Sequence, residues 1–444
     1  MKATSFRTVR NGLLCAIASL LLIGATPPRE PGHEPPDIEI LETSRWINMF
    51  TIDMLKHCAG DEGAPANAVM SPQSIFHGLA MSYIASGGET RKELAGVLHF
   101  PNDDAHLLLE ISGLRPRLNI AHQKLESVMA NAAWLDTTYV QFRKEYVEKV
   151  EKSFGASLHS VKFSESAQVC DAINKWISEK THGRIPSTLE PGDLRDRSID
   201  MIDIIDAPAL VTVNAVYFKA DWGSRFEKKS TREHDFHVEP AKTEKALMMH
   251  QKSLLLYSED DHFQFLEIPY IDGSFSMYIL LPKEVLSIKD LMALTTTGMV
   301  IQLRRKAFAH DVDVLFPKFE MRSHFGMRQT LSEMGVKAAF DNQRADFDKM
   351  IVKKLEAFRV YISEVYHDAW IDVHEDGTEA AAATTTVHFS FGCSAPRPAT
   401  PPAQFHADHP FLFMIVHNQS RSILFAGWVS NTEGLAQKAG SAGK

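Results

Sequence analysis

The run HEDGTEAAAATTTVHFSFGC, from His374 to Cys393, lies near the end of the chain and consists largely of small or uncharged residues. Alanine favours helix, whereas threonine and valine favour strand, so the run has no single preferred secondary structure. Taken by itself, it would be interpreted as a flexible spacer or as a helix followed by a strand. The rest of the sequence decides whether this mixture of helix-favouring and strand-favouring residues, a double preference, has a function.

The composition is that of a soluble globular protein. The chain has 444 residues, of which 44% are hydrophobic and 23% are charged, enough for one large domain or two or three smaller ones. A net charge of -9, with no dense tract of lysine and arginine, argues against a nucleic acid as the main partner. We therefore expect a sizeable hydrophobic core and no nucleic-acid partner.

Residues 1–25 are predicted to be a signal peptide. Three basic residues precede an apolar stretch from Leu13 to Ile23, and Ala25 offers a small residue for cleavage. The stretch is too short to span a bilayer comfortably, and no later run approaches that length. The mature protein is therefore expected to be secreted and extracellular, with no membrane partner.

Cysteine usage argues against a disulfide framework. Cys15 would leave with the signal peptide, so Cys58, Cys170 and Cys393 remain, an odd number in an oxidising compartment. The fold is therefore expected to depend on its core.

Three helices are predicted early in the chain. The first begins at Glu42, and the second has Ser71 as its N-cap and Pro72 at its first position. Thr90 and Glu93 have the spacing of a capping box, which predicts the start of the third helix.

Strands are predicted mainly later in the chain. Leu210–Phe218 is an almost continuous apolar run, which is typical of a strand buried on both faces. Phe275–Leu281 is a second strand, and Phe411–Val416 with Ile423–Gly427 predicts a hairpin. Because helices and strands do not alternate regularly, α+β is the predicted fold class.

No motif of a catalytic site, metal site or phosphate-binding loop occurs in the sequence. We therefore predict no catalytic residues, no metal and no cofactor. Asn214 is unusual because it lies in the middle of an apolar strand. A buried amide is costly without partners, so a hydrogen-bond network is expected around it.

Five long segments resemble signatures of the serpin family, and they occur in the family's order. These segments are Asn67–Phe100, Leu210–Phe226, Phe316–Met321, Tyr361–Thr386 and His409–Asn431. The resemblance covers residues 41–431.

The resemblance implies a single serpin domain over residues 41–431, with about nine helices, three β-sheets and an exposed reactive-centre loop over residues 375–404. Residues 26–40 are predicted to be a proline-rich linker and residues 432–444 a disordered tail. In this family a target serine protease attacks the loop as a substrate and becomes covalently attached as an acyl-enzyme. The cut loop then inserts into the central sheet as a new strand. The protein is expected to be a monomer.

The resemblance explains the double preference of the opening run. An inserting strand presents its side chains alternately to the core and to the surface. The predicted inward residues are small and uncharged, so little desolvation opposes their entry. The predicted hinge consists of Glu375, Gly377, Thr378, Glu379, Ala380, Ala381, Ala382, Ala383 and Thr384, of which Thr378, Ala380, Ala382 and Thr384 point inward.

Two further groups of residues match family positions. The first group, called the shutter, lies beneath the sheet where it opens and consists of Ser71, Ser74, Asn214 and His367. The second group, called the breach, lies where insertion begins and consists of Trp222, Lys318 and Glu375. The resemblance implies that Lys318 and Glu375 form an ion pair.

Family spacing counted from Gly377 places the reactive bond between Phe391 and Gly392. The large aromatic side chain suits a chymotrypsin-like pocket. One alternative is a cut after Arg397, which Pro398 would obstruct, and another is a papain-like cysteine protease that cuts after Gly392. Cys393, two residues past the predicted bond, is either an unreactive loop thiol or one that can pair or be modified.

The sequence therefore predicts an inhibitor with no enzymatic activity of its own. A non-inhibitory serpin that acts as a carrier or chaperone is the alternative within the family. An enzyme with an unrecognised catalytic triad is the alternative outside it, and steady turnover of an ester or peptide substrate would identify such an enzyme.

Overall fold

The computed structural model describes residues 41–60, 64–101, 103–122, 124–138, 140–194, 210–353, 359–378 and 401–435. This part of the chain contains nine α-helices: α1 Glu42–Gly60, α2 Pro72–Ala85, α3 Gly88–Val97, α4 Asp104–Leu118, α5 Lys144–Phe154, α6 Ser166–Lys180, α7 Ile288–Leu294, α8 Thr297–Lys306 and α9 Arg328–Met334.

The same residues form eighteen strands: β1 Ala68–Met70, β2 Ile120–His122, β3 Leu125–Asp136, β4 Val140–Phe142, β5 Ser157–Val161, β6 Leu210–Asp221, β7 Arg232–Glu239, β8 Lys242–Glu259, β9 Phe263–Pro269, β10 Phe275–Pro282, β11 Phe308–Pro317, β12 Phe319–Gly326, β13 Ile351–Lys353, β14 Ile362–His374, β15 Gly377–Thr378, β16 Ala403–His406, β17 Phe411–His417 and β18 Ile423–Val429.

Most strands belong to two hydrogen-bonded networks. The central sheet has the strand order β12-β14-β15-β6-β3-β2, with β5 paired to β3. A nine-stranded network has the order β1-β18-β17-β10-β9-β8-β11-β16, with β7 paired to β8. The long strand β8 pairs with β7, β9 and β11 in this network, and β4 pairs separately with β13. The predicted α+β class is confirmed.

Helix α2 lies between the two networks. It contacts β18 on one side and β3 and β6 on the other, and all of its residues are buried. Its start is as predicted: the Ser71 hydroxyl accepts a hydrogen bond from the amide of Ser74, and Pro72 occupies the first position, where no backbone donor is needed. The predicted strand and hairpin also form, as β6 and as β17 with β18.

The predicted capping box of the third helix is wrong. Helix α3 begins at Gly88, three residues earlier than a cap at Thr90 predicts, and Gly87 occupies the cap position. The Thr90 hydroxyl instead accepts from the amide of Asp346, and the Glu93 carboxylate accepts from the amide of Ala338. Both side chains therefore bind a segment that is remote in sequence, which local spacing cannot reveal.

A second hydrophobic cluster covers the other face of the central sheet. Residues of α6, including Ile173 and Trp176, pack there against Val213 of β6 and Trp370 of β14. The central sheet is therefore enclosed between α2 and α6, and any rearrangement of its strands takes place inside the core.

Candidate functional site

The predicted hinge begins inside the central sheet. Gly377 and Thr378 form β15, which pairs antiparallel with β14 through Val373 and His374 and antiparallel with β6 through Ala220 and Asp221. Farther along, no strand separates β14 from β6. They pair directly and in parallel, from Ile362–Leu210 to Asp368–Ala215. We call this junction of β14 and β6 the seam; two hinge residues part its strands at one end.

Gly377 is required by close approach of the backbone. A Cβ atom at this position would collide with the carbonyl oxygen of Ala220 and would lie 2.6 Å from the Cα of Asp221. Because the obstacles are main-chain atoms of β6, no side-chain rotation relieves the clash. Glycine therefore lets the chain enter the sheet here.

Thr378 is fully buried and points inward. Its Oγ1 lies 2.7 Å from the hydroxyl oxygen of Tyr270, whose pKa is raised by burial. The Tyr270 ring stacks on Trp222 with 4.6 Å between the ring centroids. Tyr270, which the sequence did not single out, therefore gives the inward hinge side chain a polar partner in an aromatic environment.

Glu375 is buried, with only 5% of its surface exposed, and three groups form hydrogen bonds with it. Its carboxylate accepts from Lys318 Nζ at 3.1 Å and from Thr231 Oγ1 at 2.8 Å. Its carbonyl oxygen accepts from the amide of Phe226. Burial by itself would raise the pKa of Glu375, but the hydrogen bonds outweigh burial and the pKa is lowered. The carboxylate is thus charged and bound at neutral pH.

Trp222 anchors the chain just before the hinge. Its indole nitrogen donates to the carbonyl oxygen of His374 at 2.9 Å, and its amide donates to the carbonyl oxygen of Asp376. Asp376 also lies 2.8 Å from Lys228 Nζ and 3.5 Å from Arg225. Sequence reasoning missed these ion pairs, because neither cation lies near Asp376 along the chain.

The shutter residues meet beneath the seam. The amide of Ser71 donates to Nε2 of His367 at 2.9 Å, and the Ser74 hydroxyl donates to Oδ1 of Asn131 at 3.1 Å. The Asn214 amide nitrogen donates to the same Asn131 oxygen at 2.6 Å and to the carbonyl oxygen of Ser74 at 3.3 Å. The network expected around Asn214 is therefore present.

Asn131 is a member of this network that sequence reasoning missed. It lies on β3 directly opposite Asn214, which in turn lies opposite His367 across the seam. An asparagine in the small-residue run ANAAW was a weak signal. Only the register of the strands brings the three side chains into one row.

His367 is neutral in this environment. Its Nε2 accepts a hydrogen bond, and burial lowers its pKa to about 4. Its Nδ1 and the Oδ1 of Asn214 are both buried, and neither has a hydrogen-bond partner among the described residues. The row therefore retains one donor and one acceptor that the present strand arrangement does not satisfy.

Several predicted residues lie outside the described part of the chain. They are the reactive bond Phe391–Gly392, hinge residues Glu379, Ala380, Ala381, Ala382, Ala383 and Thr384, and Cys393. Residues 1–25 and the linker 26–40 lie outside it as well.

One boundary prediction was wrong. The disordered tail was expected from Thr432, but Thr432 and Leu435 are each only 4% exposed. Leu435 forms an isolated bridge with Phe319 of β12. Glycine, alanine and charged residues suggested disorder, whereas the edge of the central sheet supplies partners for the backbone.

The described ranges contain neither a candidate membrane helix nor a cluster of metal-binding side chains. No helix there combines the length and hydrophobicity that crossing a membrane requires. Within the same ranges, no group of three or more histidine, cysteine, aspartate or glutamate side chains could hold a metal ion.

Comparison with known proteins agrees with this geometry. A family model described as "Serpin (serine protease inhibitor)" matches residues 45–432. An uncharacterized serpin-like protein of Thermococcus kodakarensis is 34% identical over 393 residues, covering 87% of this chain and 84% of that protein. Human plasminogen activator inhibitor 2 is 31% identical over 428 residues, covering 86% of this chain and 98% of that protein.

A solved structure gives the same result. The crystal structure of the thermophilic serpin tengpin in its native state superposes with a TM-score of 0.75 at 25% identity, covering 92% of this chain and 97% of tengpin. The predicted serpin fold, with its helices packed on three sheets, is confirmed by this likeness. The chain belongs to the serpin family.

Proposed function

We propose that this serpin is an exported suicide-substrate inhibitor of chymotrypsin-like serine proteases. Proteins of this family are inhibitors rather than enzymes. In the proposed reaction, the protease cleaves the bond between Phe391 and Gly392 and remains attached as an acyl-enzyme. The hinge then inserts into the seam as a new strand and carries the protease with it.

The start of the hinge is the observation that supports this proposal most strongly. Gly377 and Thr378 already pair with both β14 and β6, so the first step of insertion needs no new opening of the sheet. Each further residue that enters would extend two antiparallel ladders. They would replace the single parallel pairing of the seam, and antiparallel pairing is slightly more stable per residue.

The side chains of the hinge agree with this route. Thr378 is inward and buried, so strict alternation would turn Ala380, Ala382 and Thr384 inward after it. All are small and uncharged, so their burial costs little desolvation. A carrier serpin needs no such composition, which is why we favour an inhibitor.

The proposed class of target depends on Phe391. A large aromatic side chain fills the hydrophobic slot of a chymotrypsin-like protease. Export is proposed because a charged start, an apolar stretch and a small residue at Ala25 have the order of a signal peptide.

The test is to mix the purified protein with chymotrypsin and analyse the products by denaturing gel and mass spectrometry. We expect a gel-stable complex and a released peptide that begins at Gly392. Phe391→Arg is the matched variant, and it should lose the complex with chymotrypsin and form one with trypsin. Clean cleavage without any complex, by chymotrypsin, elastase, trypsin and a papain-like enzyme alike, would contradict the inhibitory mechanism.

A further inference from the structure

We propose that Arg225 is a positioning residue for the hinge: it holds the turn that precedes Gly377, and so keeps Gly377 and Thr378 inside the central sheet before cleavage. Arg225 belongs to residues 222–231, which connect β6 to β7 and which we call the β6–β7 loop. The inference deepens the proposed function, and it rests on that function for its effect on inhibition.

The hinge enters the sheet through a two-residue turn. Val373 lies opposite Thr378, and His374 lies opposite Gly377. Only residues 375 and 376 therefore connect β14 to β15, which makes β15 the second arm of a hairpin. Because β15 has just two residues, the hairpin has little pairing of its own to hold it in place. Its position depends on the contacts that surround the turn.

The turn lacks the backbone geometry that favours such a hairpin. Two-residue hairpin turns prefer positive φ at one or both central residues, because their twist then matches the twist of the strands. Neither Glu375 nor Asp376 is among the described non-glycine residues with positive φ. Local preference therefore does not explain the turn, and tertiary contacts must stabilise it.

The β6–β7 loop supplies two of these contacts from its backbone. The amide of Trp222 donates to the carbonyl oxygen of Asp376 at 2.9 Å, and the amide of Phe226 donates to the carbonyl oxygen of Glu375 at 3.0 Å. Both carbonyl oxygens of the turn are therefore held by the same loop. Arg225, which immediately precedes Phe226, adds a contact from its side chain.

The Arg225 side chain connects the turn to the strand that receives the hinge. Its Nη2 donates to Oδ2 of Asp221 at 2.6 Å, and its Nη1 lies 3.5 Å from Oδ1 of Asp376. Asp221 is the last residue of β6 and lies opposite Gly377. One guanidinium group therefore joins the end of β6 to the residue just before Gly377.

A second cation also lies near Asp376, but it is more exposed. Lys228 Nζ is closer, at 2.8 Å, yet its side chain is 67% exposed, compared with 21% for Arg225. Ordering an exposed lysine costs side-chain entropy, and water screens its charge. Arg225 is already oriented by Asp221. Removing Arg225 should therefore disturb the turn more than removing Lys228.

The turn carboxylate is charged when it meets these cations. Burial by itself would raise the pKa of Asp376, but Lys228 and Arg225 outweigh burial and the pKa is lowered. The contact with Arg225 is therefore an ion pair at neutral pH.

Loss of Arg225 should let Gly377 and Thr378 leave the sheet in the uncut protein. After cleavage, insertion would then start from outside the sheet and would be slower. A slower start gives water more time to hydrolyse the acyl-enzyme, which releases active protease and cleaved inhibitor. More inhibitor would therefore be consumed for each protease molecule that is inactivated.

The experiment measures how often position 378 leaves the sheet. In a chain with Cys393→Ser and Thr378→Cys, the new thiol is labelled with iodoacetamide at neutral pH and located by peptide mass spectrometry. Thr378 is fully buried, so labelling requires local opening. Arg225→Met should label about ten-fold faster, the effect of losing a hydrogen bond to a charged group. Arg225→Lys should restore part of the protection.

Control variants separate positioning from general stabilisation. Lys229→Met removes a cation of the same loop that pairs with Glu227, and it should leave labelling unchanged. Lys228→Met should change labelling by less than about two-fold. Leu303→Ala, at a buried position of α8, should lower the thermal midpoint without faster labelling. Labelling of Arg225→Met at the parent's rate, or equal acceleration in Leu303→Ala, would overturn the proposal.

A second variant keeps the test decisive if Arg225→Met does not fold. Asp376→Asn removes the charge from the turn and retains the contact between Arg225 and Asp221. It too should speed labelling, and an unchanged rate would overturn the proposal.

The labelling assay needs no protease, so it distinguishes the two proposals. Faster labelling of Arg225→Met, with no protease complex in any variant, would support the role of Arg225 in the uncut protein and contradict the proposed inhibition. If complexes form and Arg225→Met consumes no more inhibitor per inactivated protease than the parent, Arg225 does not position the hinge for insertion and this inference is wrong.

Discussion

The breach and the shutter lie at two points along the same pair of strands, yet they are held in different ways. At the breach, two hinge residues separate β14 from β6, and the ion pair there joins a buried carboxylate to a lysine whose side chain is 34% exposed. At the shutter, the strands pair directly over a row of buried neutral polar groups.

The difference indicates where resistance to insertion is located. The ion pair of the breach contributes modestly, because water and salt reach the partly exposed lysine and screen its charge. A buried polar network is costly to disturb. Each group that loses its hydrogen-bond partner stays buried, so water cannot replace that partner. We therefore expect the breach to open readily and the shutter to determine how far a strand advances.

The largest effect is expected at the hinge itself. Thr378→Arg places a charge where the side chain is fully buried, so the inserted strand becomes unfavourable and the protein should be cleaved as an ordinary substrate. Thr378→Val is the matched control, since it keeps the shape and loses only the contact with Tyr270. Denaturing gels with the target protease should show a complex for Val and none for Arg; a complex with the arginine variant would contradict the proposed route.

The second prediction concerns pH and separates the two regions. The folded pKa of His367 is about 4, below its ordinary value of 6.5, so the unfolded chain binds the proton first. The stability that neutral His367 contributes is fully present above pH 6.5. It falls by about 1.4 kcal/mol per pH unit as the pH drops towards 4. The pKa of Glu375 is lowered as well, so its contribution persists until the pH falls below its ordinary value of 4.5.

Urea unfolding between pH 7 and pH 5 measures this effect. His77 and His417 also have pKa values lowered to about 4, chiefly by burial, so they contribute to the same slope. His367→Gln should reduce the slope by about 1.4 kcal/mol per pH unit below pH 6.5, while His77, His417 and His159, whose pKa values are also lowered by burial, remain in the variant. An unchanged slope would show that His367 does not titrate as described.

The third prediction concerns the amides of the shutter. Asn214→Ala removes two hydrogen bonds and leaves the Asn131 oxygen with Ser74 alone, which should cost about 1–3 kcal/mol of unfolding free energy. Asn48→Ala is the control, because that amide bonds to the backbone of residues 421 and 423 away from the seam. Incorporation of a synthetic peptide matching residues 378–391 into the central sheet, followed on native gels, should become faster only in the Asn214 variant. Equal acceleration in both variants would contradict a special role of the shutter.

The smallest effect is expected for the ion pair of the breach. Glu375→Gln keeps a hydrogen-bond acceptor for Thr231 and removes the charge that attracts Lys318, so the loss should stay below about 1 kcal/mol. Asp235→Asn, which loses an exposed pair with Lys245, is the matched control. A loss for Glu375→Gln larger than that for Asn214→Ala would reverse the ranking of the two regions.

Much of the fold could be predicted because its signals are local. Ser71 and Pro72 mark the start of α2, and the apolar run from Leu210 marks a buried strand. The prediction at Thr90 and Glu93 was wrong for the opposite reason: their partners, Asp346 and Ala338, are far away in the sequence.

The sequence by itself determined the chemistry of the hinge: small uncharged residues at each position predicted to point inward and a glycine where it enters the sheet. Only the tertiary structure decided which residues meet. Asn131, Asn214 and His367 form one row, and Leu435 reaches the row of Thr378, because strand register joins segments far apart along the chain. Register depends on how the whole sheet packs, and no local pattern specifies it.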